Sequence, residues 1–177
     1  MNNIRQFLDY TPTIADSAYI DSAATIIGEV NIGEQCSIWP SVVIRGDVNS
    51  VSIGHQTNIQ DGSIIHVTRA EKRGNDSEAT IIGDYVTVGH SVNLHGCTIK
   101  DHVLIGIGTT ILDGAVVNRN VVIGAGSLVP PRKILESGFL YFGNPVKKAR
   151  ELTAEEIQFL TQSGDNYVAL GKQYKHE

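Results

Sequence analysis

The sequence has 177 residues, 41% of them apolar and 19% charged, and a net charge of −5; that composition supports one folded core and excludes a disordered chain. The acidic balance, with a pI near 5.6, argues against a phosphate-backbone binder, so no nucleic-acid partner is expected. No apolar run reaches the roughly 18 residues of a membrane span, and two cysteines, Cys36 and Cys97, are too few for a disulfide scaffold and read as buried small residues.

The start, Met1-Asn2-Asn3-Ile4-Arg5-Gln6, lacks the basic and apolar segments of an export signal, which points to the cytoplasm and away from a membrane. From Ile14 an aliphatic residue then recurs every six positions, at Ile14, Ile20, Ile26, Ile32, Ile38 and Ile44. The series resumes at Ile53, Ile59 and Ile65, at Ile82, Val88 and Leu94, and at Ile99, Ile105, Ile111, Val117, Ile123 and Val129. Glycine often follows, as in Ile32-Gly33, Ile53-Gly54 and Ile123-Gly124. A helix repeats at about 3.6 residues and an ordinary strand at about 2, so neither explains this beat. A parallel β-helix does: each hexapeptide supplies a short strand and a corner, three make a triangular coil, and the aliphatic side chain points inward onto its counterpart one coil away. Eighteen such positions predict six coils and a prism about 29 Å long. The pattern resembles the left-handed β-helix of the hexapeptide-repeat proteins, and that resemblance implies the left hand and a homotrimer of parallel prisms.

The beat stops at Pro130-Pro131, and a Gly143-Asn144-Pro145 turn leads to a charged stretch, Lys147 to Arg150, read as a solvated face. A helix follows. Thr153 and Glu156 form a capping box, and Ile157, Leu160, Gly164, Val168 and Gly171 fall on one face that packs along the prism, with a break near Ser163-Gly164. The expected organisation is an all-β domain, a β-helix over 1–151 with an N-terminal lead-in and a loop at 68–79, to which a C-terminal helix over 152–177 belongs.

The beat fails from Ile44 to Ile53, from Ile65 to Ile82 and from Leu94 to Ile99, and all three breaks carry ionisable residues: Arg45-Gly46-Asp47, His66 and His95. Let each break count as one step around the triangle, with the faces beginning at Ile53, Ile59 and Ile65 called first, second and third. Arg45, His66 and His95 then share a column on the third face. His90 falls on the second face, above Asp61 and with Gln60 beside it. A single prism does not bring His90 to a metal shared by His66 and His95, but a neighbouring prism, second face against third, does. The same packing opposes Arg45 to Asp61 of the neighbour. Three neutral imidazoles at about 2.0–2.1 Å with an open fourth position are the ligand set of a catalytic zinc, which makes hydroxide available by lowering the pKa of its water to about 7. Imidazoles also accept Fe2+ or Co2+.

The segment from Ile44 to His95 resembles the gamma-class carbonic anhydrases through Arg45-Gly46-Asp47, Asn58-Ile59-Gln60-Asp61-Gly62-Ser63, His66 and Gly89-His90-Ser91-Val92-Asn93-Leu94-His95-Gly96-Cys97. The resemblance implies a zinc-dependent lyase that reversibly hydrates carbon dioxide to bicarbonate by metal-bound hydroxide at a subunit interface. His66, His90 and His95 would be the ligands, and Gln60 would orient the hydroxide. Arg45 and Asp61 would pair between subunits with support from Asp47, and Asn58 would lie near the pocket. Tyr167 resembles a tyrosine that reaches the family's active site. Val48 stands where the best-known active member carries a proton-transferring acid; Arg69, Glu71, Lys72, Arg73, Asp76 and Glu78 fill a loop that the resemblance does not align.

Two other readings share the scaffold. Hexapeptide-repeat acyltransferases use one histidine as base, and a metal-dependent acyl-CoA thioesterase would use the three; the Gly-Asn-Pro turn also occurs among such proteins. A metal-binding trimer without anhydrase activity would keep both fold and ligands. His55, His102 and His176 read as ordinary exposed residues. Gly106-Ile107-Gly108 and Gly124-Ala125-Gly126 read as corner glycines rather than phosphate loops, and Asn75-Asp76-Ser77 as a sequon without a secretory route.

Overall fold

Strands of mostly two or three residues, each carrying one inward side chain, stack as three parallel ladders in the computed structural model, which describes residues 3–69 and 78–175. His176, the sequon at 75–77 and most of the loop expected at 68–79 lie outside the described residues. On the first face Ile14, Ile32, Ile53, Ile82, Ile99, Val117 and Leu135 stand in register. The second face stacks Ile20, Ile38, Ile59, Val88, Ile105, Ile123 and Tyr141, and the third Ile4, Ile26, Ile44, Ile65, Leu94, Ile111 and Val129. Every inward residue from Ile26 to Val129 is at most 4% exposed. Burial of each contributes roughly 1.5–3 kcal/mol, so slipping one coil against the next would lose several such contributions together.

Each ladder has seven rungs, one more than the sixfold beat predicts. The series begins earlier, at Ile4, and it does not stop at Pro130-Pro131. Those prolines occupy the corner between the third and first faces, where Lys133 N–H donates to the Pro130 carbonyl across a turn (3.3 Å). Proline interrupts a ladder only where its missing N–H was needed, and the coil continues to Leu135 and Tyr141. The prism ends where Phe139–Phe142 pairs antiparallel with Lys147–Glu151. All five residues of that last strand are exposed, as the solvated-face reading of Lys147 to Arg150 requires.

The break after Ile44 is a single strand, Val43–Ile53, that runs from the third face onto the first beside Thr25–Ile32, with a register shift between Gly28 and Val30. Gly28 has a φ of +80°, and a Cβ there would lie 2.3 Å from the Gly46 carbonyl oxygen; only glycine permits so close a crossing.

Helix α1, Ala154–Lys175, runs 22 residues without the break expected at Ser163-Gly164. Its capping box forms as the spacing predicts: Thr153 N–H donates to Glu156 Oε2 (2.9 Å) and Glu156 N–H to Thr153 Oγ1 (3.2 Å). Gly164 serves docking. It is buried against the second face, where a Cβ would stand 2.8 Å from Tyr85 Cδ1. Trp39 packs on Tyr19 and Tyr174, with centroids 5.2 Å away in each case. His102 departs from its expected exposure: half-buried, it stacks on Tyr85 at 5.0 Å and lies 3.2 Å through Nδ1 from the Thr161 hydroxyl of α1. Cys36 and Cys97 are free and buried, and burial pushes both thiols up to about 12, which removes them as nucleophiles. No described helix is long and apolar enough to cross a membrane.

On an exposed helix Gly→Ala gains up to about 1 kcal/mol, but at Gly164 the contact with Tyr85 reverses the sign. Gly164→Ala is expected to cost about 1–2 kcal/mol net, read as a lower urea midpoint; a raised midpoint would mean that α1 is not docked this closely.

Candidate metal centre

Register brings the third-face residues together. His66 and His95 are directly paired on neighbouring coils, and Arg45 follows Ile44, which pairs with Ile65. The result is a facing pair of imidazoles, His66 Nδ1 and His95 Nε2, 3.2 Å apart. The far nitrogen of each ring meets a carboxylate: His66 Nε2 lies 3.0 Å from Asp47 Oδ1, and His95 Nδ1 lies 2.6 Å from Asp113 Oδ1. Arg45 donates to the other oxygen of Asp47, and the Thr68 hydroxyl donates to Asp113.

Proton counting decides what this arrangement is for. A carboxylate only accepts, so each imidazole spends its N–H on its aspartate. The two remaining nitrogens then face each other as lone pairs, which repel unless something positive sits between them. Two ligands of a tetrahedral site at about 2.0–2.1 Å stand about 3.3–3.4 Å from each other, close to the observed 3.2 Å. The pair fits a nitrogen-preferring transition cation, oriented by carboxylates as ligating imidazoles usually are. Burial pushes the His66 imidazole below its ordinary value, with Arg45 and His95 adding to the effect against the pull of Asp47. His66 is therefore neutral, the form that ligates. For Asp47 burial acts upward, but the hydrogen bonds from His66 and Arg45 outweigh it and hold the carboxyl below the usual range.

His90 is elsewhere on the protomer. It occupies the corner after the second-face strand Thr87–Val88, next to Ser91, whose φ of 56° turns the chain. Its side chain is 46% exposed, and Nδ1 lies 3.0 Å from Asp61 Oδ2, leaving Nε2 as the end not engaged by the aspartate. Among the described residues no single protomer gathers three metal-ligating side chains. Arg45 and Asp61 do not meet each other within the protomer; one engages Asp47 and the other His90.

Beside Asp61, Gln60 and Asn58 are buried, and Gln60 Nε2 donates to Asn58 Oδ1 (3.1 Å). Asn58 Nδ2 donates to Thr87 Oγ1 (2.9 Å), and the Thr87 hydroxyl lies 2.8 Å from that of Ser163 in α1. Tyr167, also on α1, packs edge-on to Trp39 at 5.8 Å; burial raises its pKa, and the Asp61 charge adds to this. It thus belongs to the His90 side of the arrangement. Val48 packs against the core and, with Asp47, Asn49 and Arg69, lines a cleft of about 440 Å³. A valine carries no proton, so no relay passes through that position.

Asp113, Thr87 and Ser163 were not singled out by sequence. The count alone does not reach Asp113: with Leu94 paired to Ile111, the residue at the His95 offset is Leu112, and Asp113 lies one residue further on. Thr87 is legible by counting, as the register partner of Asn58.

Comparison with known proteins agrees with the coiled fold. The family model "Bacterial transferase hexapeptide (six repeats)" matches residues 96–131. A Geobacillus kaustophilus protein named carbonic anhydrase is 46% identical over 165 residues, covering 93% of this chain and 87% of the relative. Mitochondrial gamma carbonic anhydrase 1 of Arabidopsis thaliana is 46% identical over 169 residues, 96% of this chain; the chain spans 61% of that relative's length. Among solved structures, a Bacillus cereus protein described as a putative acetyltransferase superposes with a TM-score of 0.91 at 43% identity, covering 98% of this chain and 96% of the other.

Asp113→Ala frees His95 to turn or to change tautomer. It is expected to weaken transition-metal affinity about 10–100-fold in chelator competition, with the far-ultraviolet circular dichroism unchanged; unaltered affinity would show that Asp113 does not set the His95 tautomer.

Proposed function

Because this chain belongs to the gamma carbonic anhydrase-like family of hexapeptide-repeat proteins, we propose that it is a lyase that reversibly hydrates carbon dioxide to bicarbonate. The site is completed in a homotrimer by His66 and His95 of one protomer and His90 of its neighbour, with Zn2+, or Fe2+ or Co2+ in its place, as the cation. The single observation that carries this reading is the pair of facing imidazole nitrogens at 3.2 Å, each ring with a carboxylate at its far nitrogen, two thirds of a ligand set with the remainder on another face. Subunit packing is supported by the outward row Leu104, Val122 and Leu140 on the second face beyond the strands that α1 covers. A face left to water carries polar residues there. Ile107, 56% exposed and one coil from His90, extends that apolar border.

When bound, such a cation supplies a Lewis acid that makes hydroxide available near neutral pH. The chain does the rest by orientation. Asp47 and Asp113 each take one imidazole N–H and so aim the other ring nitrogen, and Asp61, 3.0 Å from His90 Nδ1, leaves Nε2 of that ring as the outward end. Gln60, its Nε2 held by Asn58, would offer its carbonyl oxygen as the acceptor that orients a hydroxyl at the site. Tyr167, its pKa raised, stays protonated and serves as a donor beside Asp61. Arg45, on Asp47, and Asp61 of the neighbour pair across the interface.

A second reading has its own support. The likeness to the Bacillus cereus structure described as a putative acetyltransferase, and a cleft of about 360 Å³ formed by the Gly143-Asn144-Pro145 turn with Phe142, Lys147 and Lys148, favour acyl-CoA chemistry. Stopped-flow assays of zinc-loaded and anaerobically iron-loaded protein separate the two: hydration of carbon dioxide is expected, and acyl-CoA hydrolysis without hydration would transfer the site to the second reading. His90→Ala is expected to leave the prism folded and reduce bound metal to well under one ion per chain. Retained metal would contradict the ligand assignment.

A further inference from the structure

The sixfold beat leaves off at Ile65 and resumes at Ile82, and from this interruption two threonine hydroxyls reach the histidine column. Thr80, fully buried, donates to the His66 carbonyl (2.6 Å) and accepts the Gly96 N–H (3.0 Å), so it ties together the backbones that carry the two rings. Thr68 acts further out. Its hydroxyl donates to Asp113 Oδ1, the oxygen that meets His95 Nδ1 at 2.6 Å. A carboxylate only accepts, so the single hydrogen of the Thr68 hydroxyl is committed to Asp113 and the direction of the contact is fixed.

Asp113 needs such a hold more than Asp47 does. Register does not place it: the residue at the His95 offset is Leu112, and the Asp113 side chain reaches back across Gly96. A Cβ on Gly96 would stand 2.5 Å from Asp113 Oδ1 and 2.7 Å from Thr68 Oγ1, so carboxylate and hydroxyl meet in the space that the glycine leaves. The Asp113 side chain is also 34% exposed, against 15% for Asp47. Water competes for it, and another rotamer would carry it away from His95. Thr68 itself is anchored at both ends: its N–H donates to the Glu78 carbonyl (3.1 Å), and its carbonyl accepts from Asn49 Nδ2 (3.2 Å). Those bonds set where its hydroxyl stands.

We propose that Thr68 is a positioning residue, which holds Asp113 on His95 Nδ1 and so keeps Nε2 as the nitrogen that His95 offers to a cation. This rests on the ligand role proposed above for His95. It gives the break in the beat after His66 a part in building the site.

The test compares full-length Thr68→Val, which removes the hydroxyl within a similar volume, Thr68→Ser, which keeps it, and Thr68→Val combined with Asp113→Ala. Nitrogen NMR of the imidazoles in metal-free protein, in alkaline buffer, reads the His95 tautomers without reference to activity. Thr68→Val is expected to raise the share of the Nε2–H tautomer and to weaken zinc affinity in chelator competition, each on the order of threefold to tenfold. Thr68→Ser is expected to behave as wild type. In the Asp113→Ala background Thr68→Val is expected to weaken zinc affinity no further, because the group it positions is gone. Tautomers or zinc affinity unchanged in Thr68→Val, a Thr68→Ser variant as impaired as Thr68→Val, or an equal loss of affinity with and without Asp113 would each overturn the inference. Should Thr68→Val not fold, Thr68→Ala takes its place on the same criteria. If the wild type binds no zinc, the proposed cation site fails, and the His95 tautomers still decide the role of Thr68.

Discussion

The stacking of one inward aliphatic side chain on another, repeated on three faces, is the constraint from which the rest of this molecule follows. Each coil is held to the next by short runs of parallel pairing and by apolar contacts such as Ile44 on Ile65 and Leu94 on Ile111. Because these side chains are buried almost completely, a slip of one residue would turn the inward series outward. Register is thus pinned throughout, and every residue at a fixed offset from a rung acquires a fixed neighbour on the coils above and below. A chemically useful column needs nothing more than the right residue types at that offset.

What the column costs is electrostatic. The prism holds two imidazoles within 3.2 Å of each other, each with a carboxylate at its far nitrogen; with their hydrogens on those carboxylates, the facing lone pairs repel. Arg45 adds to the pressure against protonating His66. Such a pair is a liability in a purely structural solenoid and an asset in a cation site, which is why it carries more of the functional argument than the likeness of fold. Related solenoids host different reactions, and the chain spans only part of the plant relative's length. Fold alone would not choose among them.

Much of this was legible in the sequence because the repeat is a counting device. The sixfold beat places His66 beside His95 and His90 above Asp61, and the register agrees. Periodicity and composition disagree at Pro130-Pro131: the pair has the composition of an end, but at a corner proline costs no ladder hydrogen bond, and two further rungs follow. Gly164 read as a weak point in a helix because its neighbour across space, Tyr85, is invisible to periodicity. Ser163 could not be found for the same reason. Where a helix lies on a prism depends on tertiary packing, not on a local rule, and Asp113 escapes the count because it lies one residue past the column, whose next member is Leu112.

The account's central claim is that imidazoles from two protomers surround one cation, and mixing of subunits tests it most directly. His66→Ala and His90→Ala chains, each unable to build a complete site alone, are unfolded together without metal, refolded at equal concentration and assayed for tightly bound zinc. If sites span the interface, random assembly joins an intact third face to an intact second face at about one interface in four, and the mixture recovers roughly that share of the wild-type metal. A mixture that binds no more than either variant alone, from trimers shown to have exchanged subunits, would contradict the account.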